Sequence, residues 1–271
     1  NIVIVDNSAC TTTHNLLQIN FGAMPDKYTL ILNPTNLGVA AALNIGLRLS
    51  LDRSSEWALT MDQDSRVTPE MVNEMMKAYQ SCPPQICSKI ASLAPTLRDF
   101  TDSDNFSGDP KHTTAEAFRF VPTAITSGNL IKTSAWNDIG GFNESLFIDY
   151  VDHDFCFRLR KAGYLILECQ NAVLFHGIGN ANVIKRFGRL LKINQHPPLR
   201  LYYILRNGLF FWSRHQDCDG FIKSDKLNTF KIIIKALLFD SNKIQRLRML
   251  WAGYCDFRNN RFGCYSDHNR S

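Results

Sequence analysis

Leu59-Thr60-Met61-Asp62-Gln63-Asp64-Ser65 is the stretch on which the reading of this chain turns. Trp57-Ala58-Leu59-Thr60-Met61 is a short apolar run that predicts a buried strand, and it ends in two carboxylates one residue apart. Pro69 then stands at a favoured first-turn position and predicts a helix over Glu70–Tyr79. Asp62 and Asp64 therefore fall between the carboxyl end of a strand and a helix, where oxygen ligands can hold a hard cation. Mg2+ or Mn2+ bound there would neutralise the phosphates of a nucleotide. Asp-x-Asp is a weak motif by itself and also fits an acidic turn with Ser65 capping it.

Outward from this turn the chain alternates strands and helices. Ile2–Val5 predicts a first strand with Asp6-Asn7-Ser8 at its carboxyl end, where an acid can accept hydrogen bonds from a base or ribose, or can simply close a turn. A weak helix over 12–20 and a strand over Tyr28–Leu32 follow. Asn33-Pro34-Thr35-Asn36-Leu37-Gly38 leads into a helix over Val39–Leu51, with Asn36 as a cap and Gly38 permitting close backbone approach. Strand, helix, strand, helix, strand in that order predicts a parallel sheet with crossover helices. Neither Gly-x-Gly-x-x-Gly nor a P-loop is present. Further strands are expected over Lys89–Ala94 and Phe118–Thr126, a mobile polar loop near the acceptor over 97–117, and a short helix over Ser134–Ile139.

A second acidic group lies in Ile148-Asp149-Tyr150-Val151-Asp152-His153-Asp154-Phe155-Cys156-Phe157-Arg158. On a helix starting near Asp152, Asp154 and Arg158 share a face and pair. Three acids in six residues exceed what helix-dipole stabilisation requires. Gly163 stops this helix, and strands follow over Tyr164–Glu168 and Val173–His176. A lone histidine after an apolar run is most often structural.

Apolar residues make up 45% and charged residues 20% of the 271, the composition of a folded chain. No apolar run reaches the roughly 18 residues of a transmembrane helix, and there is no signal-peptide pattern. The eight cysteines have neither Cys-x-x-Cys nor zinc spacing, which points to a reduced, cytosolic setting. Residues 1–175 carry 13 Lys and Arg against 19 Asp and Glu, while residues 176–271 carry 17 against 6. That asymmetry suggests an anionic partner, lipid or nucleic acid. Beyond residue 180 basic amphipathic helices are expected over Lys185–Lys192, Leu199–Ser213, Phe230–Phe239 and Lys243–Tyr254, suited to a membrane interface. Residues 256–271 read as a polar, poorly ordered end.

Together these pieces resemble the family-2 inverting glycosyltransferases of the GT-A fold, most of all the rhamnosyltransferases of bacterial surface polysaccharide synthesis. The matching stretches are Ile4-Val5-Asp6-Asn7-Ser8, Asn36-Leu37-Gly38-Val39-Ala40, Met61-Asp62-Gln63-Asp64-Ser65, Ser127-Gly128-Asn129-Leu130, Gly140-Gly141-Phe142-Asn143-Glu144, Phe147-Ile148-Asp149-Tyr150-Val151-Asp152 and Phe175-His176. The resemblance spans about residues 1–212 and rests on the order and spacing of these motifs. It implies an α/β, Rossmann-like, mostly parallel sheet flanked by helices over 1–180, and a basic helical extension over 181–271. It implies that Asp6, Asn36, Gly38 and Asp62 contact the nucleotide sugar, and that Asp62, Asp64 and His176 hold the divalent cation. Asp152 would be the catalytic base, with Gly128, Asn129 and Arg206 at the donor and acceptor cleft. The family's Gln-x-x-Arg-Trp is absent around Arg206. Members begin with an earlier strand and helix, so the chain is expected to start inside the domain, with that first strand missing. The implied donor is dTDP-L-rhamnose and the acceptor a saccharide or polyprenyl-linked saccharide. The implied setting is cytoplasmic and peripheral on the inner face of the membrane, with no nucleic acid. A sugar nucleotidyltransferase and an inactive fragment stay open as alternatives.

Overall fold

Strand and helix alternate as the apolar runs dictate. The computed structural model describes residues 1–99, 117–177, 181–186, 189–194, 197–216, 219–239 and 242–266. β1 (Ile2–Asp6), α1 (Thr11–Phe21) and β2 (Tyr28–Leu32) form a parallel crossover unit, with Ile2 opposite Tyr28 and Asp6 opposite Leu32. After α2 (Val39–Asp52), β3 (Trp57–Thr60) and β4 (Ser65–Val67) bracket the acidic turn. Next come α3 (Met71–Gln80), α4 (Pro84–Cys87), β5 (Ile90–Arg98), β6 (Phe118–Phe120), β7 (Asn129–Lys132) and α5 (Thr133–Asp138). A 3-10 turn at Glu144–Leu146 leads to α6 (Val151–Lys161) and β8 (Leu165–His176). The hairpin β9 (Ala181–Arg186) and β10 (Arg189–Asn194) precedes α7 (Pro198–Arg214), α8 (Asp219–Phe239) and α9 (Lys243–Arg258).

The main sheet has the order β3-β7-β5-β8-β4, with β6 also on β8. It is mixed and not mostly parallel. β5 and β8 run parallel, whereas β7 runs against both β3 and β5, and β4 and β6 run against β8. Alternation predicts direction only for strands joined by one helical crossover, as β1 and β2 are. β7 is inserted between two earlier strands and escapes that rule. Leu130 and Ile131, adjacent on β7, face opposite sides as strand geometry requires. Ile131 packs with Leu47, Trp136, Phe155 and Leu159 under α2, α5 and α6. Leu130 packs with Met71, Met75, Leu167 and Leu174 under α3.

Five further expectations change. The strand at 118 ends at Phe120, because Pro122 cannot donate to a ladder. The two strands expected between 164 and 176 are one, β8, with a register shift opposite Pro95 and Thr96. Lys185–Lys192 belongs to a hairpin and not a helix; Val183, Ile184 and Ile193 are β-branched and favour strands. Residues 256–266 are ordered against α7: Arg206 Nη1 donates to Gly263 O at 2.9 Å, and the Tyr265 N–H donates to the Tyr203 hydroxyl at 2.8 Å. Residues 267–271 lie outside the described residues. Of the loop expected over 97–117, Leu97 and Arg98 belong to β5, and 100–116 lie outside the described residues.

Among the described residues, α7 packs against elements that precede the boundary expected at 180. Phe210 of α7 joins the cluster that contains Phe142 and Phe155, and the Phe211 ring lies 5.0 Å from Phe157 and 5.5 Å from Tyr150.

Candidate active site

Asp62 and Asp64 leave the end of β3 in a turn fastened by its neighbours. The Thr60 hydroxyl donates to Thr126 O at 2.5 Å, and the Gly128 N–H donates to Thr60 O at 2.8 Å. Gly128 has φ +70°, and a Cβ there would lie 2.8 Å from Leu174, so glycine is required for the backbone to pass. Ser127 is fully buried. Its hydroxyl accepts from the Asp62 N–H at 3.2 Å and shares a hydrogen bond with the Ser65 hydroxyl at 2.7 Å. The Ser65 hydroxyl in turn lies 2.7 Å from His176 Nδ1.

This arrangement explains how a histidine 112 positions downstream of Asp64 reaches it. β4 begins immediately after the turn and pairs with the end of β8, setting Ser65 opposite His176. Ligand atoms of Asp62, Asp64 and His176 lie within 4.8 Å of one another. With Nδ1 engaged by Ser65, Nε2 is the ring nitrogen left for an ion, the usual division of labour at a metal-binding histidine. Two carboxylates and one imidazole suit Mn2+ or Mg2+. Desolvation raises the Asp62 carboxyl above its ordinary pKa; His176 opposes this, while the charges of Asp64 and Asp152 add to it. Such crowding of negative charge is what a bound cation relieves.

The predicted nucleotide-contacting residues also come together, through a residue that sequence reasoning passed over. The Asn7 side chain donates to Gly38 O at 2.7 Å and accepts from Asn33 Nδ2 at 2.8 Å, tying the end of β1 to the loop before α2. Asn36 Oδ1 accepts from the Gly38 N–H at 2.9 Å, closing the turn without capping the helix. Asp6 accepts from the Ser8 N–H and hydroxyl at 3.0 and 2.8 Å, and His14 Nε2 is 3.2 Å away. Gly38 has φ +86°, and a Cβ there would sit 2.6 Å from Phe147 O. The close approach it permits is therefore to the protein's own backbone: the Val39 N–H donates to that same Phe147 oxygen at 2.7 Å.

Phe147 belongs to the loop that delivers the second acidic group. Phe147, Asp149 and Tyr150 have φ of 65°, 62° and 64°, conformations that non-glycine residues adopt only when over-determined by their surroundings. Asn207, fully buried on α7, supplies that constraint. Its amide donates to Leu146 O, Ile148 O and Asp149 O at 2.8, 2.7 and 3.1 Å. The Tyr150 hydroxyl donates to Asp225 Oδ2 at 2.9 Å and meets the Thr229 hydroxyl at 2.8 Å, both on α8. Asn44 fixes the preceding Gly140-Gly141-Phe142 turn, exchanging hydrogen bonds with the Phe142 backbone at 2.8 and 2.9 Å. Asn mid-helix in an Ala- and Leu-rich run was the signal available for it.

The three acids separate by partner. Asp154 is buried and pairs with Arg158 at 2.7 Å; Asp149 pairs with Arg200 at 3.1 Å. Asp152, second residue of α6, has no Arg or Lys partner among the described residues; its side chain accepts from the His153 N–H at 2.8 Å and stays partly exposed. Its negative charge contributes to the upward shift of the Asp62 carboxyl.

Two predicted cleft residues do not belong there. Arg206 is fully buried on α7. It donates to Asn207 Oδ1 at 2.9 Å, to the Tyr202 hydroxyl at 3.0 Å and to Leu146 O at 3.2 Å, and its guanidinium lies over the Tyr202 and Tyr203 rings. With its donors engaged inward, it braces the 146–150 loop and cannot meet a diphosphate. Asn129 is likewise buried, accepting from the Ser92 hydroxyl at 2.7 Å; it organises the sheet beside the acidic turn.

Comparison with known proteins points to one family. Residues 1–137 match the family model described as Glycosyl transferase family 2. The chain is 32% identical to the dTDP-rhamnosyl transferase RfbF of Shigella flexneri over 214 residues, 76% of this chain and 68% of that protein. It is 25% identical to the low-salt glycan biosynthesis hexosyltransferase Agl10 of Haloferax volcanii over 64% of this chain and 58% of that one. A crystal structure of GalNAc-T7 with UDP, GalNAc and Mn2+ superposes with TM-score 0.53 at 10% identity, over 96% of this chain and 52% of that one. At that identity the likeness is one of fold.

Proposed function

The chain belongs to glycosyl transferase family 2, a sugar-transferring enzyme of GT-A type fold, and we propose that it moves L-rhamnose from dTDP-L-rhamnose to a saccharide acceptor with inversion. The observation that carries this reading is the cluster of Asp62, Asp64 and His176, with Asp152, a carboxylate that has no Arg or Lys partner among the described residues, acting by its charge on Asp62. Similarity to a dTDP-rhamnosyl transferase supports the donor. Asp6, Asn36 and Gly38, gathered at the end of β1, are proposed to receive the nucleoside, and Gly128 to border the donor cleft beside the acidic turn.

Asp62, Asp64 and His176 would hold Mn2+ or Mg2+, which supplies positive charge to the departing diphosphate. Asp152 accepts the proton of the acceptor hydroxyl as that oxygen bonds to the anomeric carbon. The bond from that carbon to the diphosphate breaks on the opposite face, so one displacement inverts the centre and no protein nucleophile is needed. Ser127 and Ser65 hold the acidic turn and orient the His176 ring. The acceptor is proposed to be a polyprenyl-linked saccharide, reached from the cytoplasmic face by peripheral attachment; no helix among the described residues is long and apolar enough to cross a membrane.

Incubation with dTDP-L-rhamnose, Mn2+ and a lipid-linked saccharide tests this reading. Release of dTDP with a new linkage whose anomeric configuration is opposite to that of the donor is expected, and EDTA or Asp64→Ala should abolish it. Retention of configuration would refute single displacement. Pyrophosphate release from a nucleoside triphosphate and a sugar phosphate would instead favour a nucleotidyltransferase.

A further inference from the structure

α8 and α9 carry two apolar stripes that no described part of the chain covers. On α8, Leu227, Phe230, Ile234 and Leu238 follow one another at three- and four-residue spacing, and all are exposed. On α9 the same spacing joins Ile244, Leu247, Trp251 and Tyr254, with Ile244 85% and Trp251 67% exposed. Residues three and four apart share one face of a helix, so each helix presents a continuous outward apolar strip. Contiguous apolar surface of this extent, unlike a scattered exposed leucine, marks a contact face.

Charge decides what the face meets. Lys226, Lys231, Lys235, Lys243, Arg248 and Arg258 are exposed on the same two helices. The described acids between 220 and 258 are Asp225 and Asp256, and both turn inward. Asp225 accepts from the Tyr150 hydroxyl and from Trp212 Nε1 at 2.9 and 2.6 Å, and Asp256 accepts from the Tyr202 hydroxyl at 2.7 Å. Among the described residues, a second copy of this face would bring cations against cations with no carboxylate between them. An anionic bilayer satisfies both features, taking the Leu, Ile and Trp side chains at the acyl boundary and the Lys and Arg at the headgroups.

We infer that α8 and α9 dock on an anionic lipid surface, and that this sets the acceptor side of the catalytic cleft against the membrane. The first half stands on the exposed face alone; the second rests on the lipid-linked acceptor proposed above. The link is short. The inward face of α8 holds the Tyr150 hydroxyl through Asp225 and Thr229, and its Phe221 ring lies 5.5 Å from His153. Tyr150 and His153 flank Asp152, so the helix that faces the bilayer on one side braces the proposed base on the other.

The test is flotation of the full chain with vesicles of phosphatidylcholine alone and with phosphatidylglycerol added, alongside dTDP-L-rhamnose turnover in vesicle-free solution. Binding is expected only with phosphatidylglycerol, with Trp251 fluorescence shifting to the blue and salt weakening the association. Lys231→Glu/Lys235→Glu should weaken binding roughly thirtyfold, at the usual contribution of a surface cation. Ile244→Ser/Trp251→Ser should abolish it, and both variants should keep vesicle-free turnover, which reports that they fold. Equal binding to both vesicle types, or none, overturns the docking. So does a dimer in vesicle-free solution that Ile244→Ser/Trp251→Ser dissolves. Vesicle binding without turnover of dTDP-L-rhamnose supports the docking and sinks the proposed donor; turnover without vesicle binding does the opposite.

Discussion

The acidic turn at 61–65 and the loop at 146–150, which leads into the helix that carries Asp152, are held by opposite means. No residue of the turn has positive φ. Its shape comes from strand register and a chain of small polar groups, Ser127 to Ser65 to His176. The loop contains three non-glycine residues at positive φ, each costing on the order of 1–3 kcal/mol. It stands because Asn207, Arg206 and the α8 residues Asp225 and Thr229 clamp it from outside. A relaxed turn can be loosened without unfolding anything; a strained loop stores the cost of its own release. Damage to the first should therefore appear in ion affinity, and damage to the second in stability and turnover together.

The largest effect is expected where the loop meets chemistry. Asp152→Asn keeps the shape and removes the base, so kcat should fall about 10²–10⁴-fold, the usual range for a positioned acid–base group, with dTDP affinity and melting temperature nearly unchanged. If Asp149→Asn or Asp154→Asn abolished turnover while Asp152→Asn kept it, the assignment of the base would fail. On the turn, Ser127→Ala should weaken Mn2+ affinity about 10–100-fold, as loss of an outer hydrogen-bonding partner of a metal ligand does. Titration of Mn2+ with dTDP present measures this. A melting-temperature loss comparable to that of the clamp variant would erase the distinction between the two regions.

Asn207→Ala probes the clamp itself. Ile148 O and Asp149 O lose the Asn207 donor while Leu146 O keeps Arg206, and a buried unsatisfied acceptor costs about 1–3 kcal/mol. The melting temperature should drop by several degrees, at roughly 2–4 °C per kcal/mol for a chain of this size. Turnover should fall alongside, because the loop would relax toward negative φ and carry Asp152 with it, while Mn2+ affinity at the turn stays intact. Unchanged kcat in a destabilised Asn207→Ala would mean that the clamp serves folding alone.

The contrast also explains what the sequence disclosed. Asp62 and Asp64 at a strand end, and the Asp154–Arg158 pair at helical spacing, are local patterns that periodicity exposes. His176 came only by resemblance, since its approach depends on β4 pairing with β8 across more than a hundred residues. Asn207 was invisible: an Asn in an amphipathic helix gives no hint that its partners are carbonyls 58 to 61 positions earlier. Arg206 was misplaced for a related reason. A buried arginine satisfied by backbone and aromatic rings is spelled like one that awaits a phosphate. The direction of β7 was illegible because insertion between two earlier strands leaves no trace in local pattern.

The smallest effect, and the finest division within the loop's own helix, is one of pH. Asp152 and Asp154 are two residues apart on α6, one proposed for proton transfer and one structural. Burial alone would raise the Asp154 carboxyl, but the contacts with His215 and Arg158 outweigh it, and its folded-state pKa lies below the ordinary carboxylate value. A depressed folded pKa means that the unfolded chain takes up the proton first as pH falls. The stabilisation from this ion pair is thus complete above the unfolded value of about 4 and is lost as pH drops through the folded value beneath it. Thermal melts should show wild-type stability falling with pH below about 4 more steeply than that of Asp154→Asn. That variant is less stable at neutral pH because Arg158 loses its buried partner. Parallel acid slopes for wild type and Asp154→Asn would show that the Arg158 pair does not stabilise α6, and the division of labour between the two acids would rest on Asp152 alone.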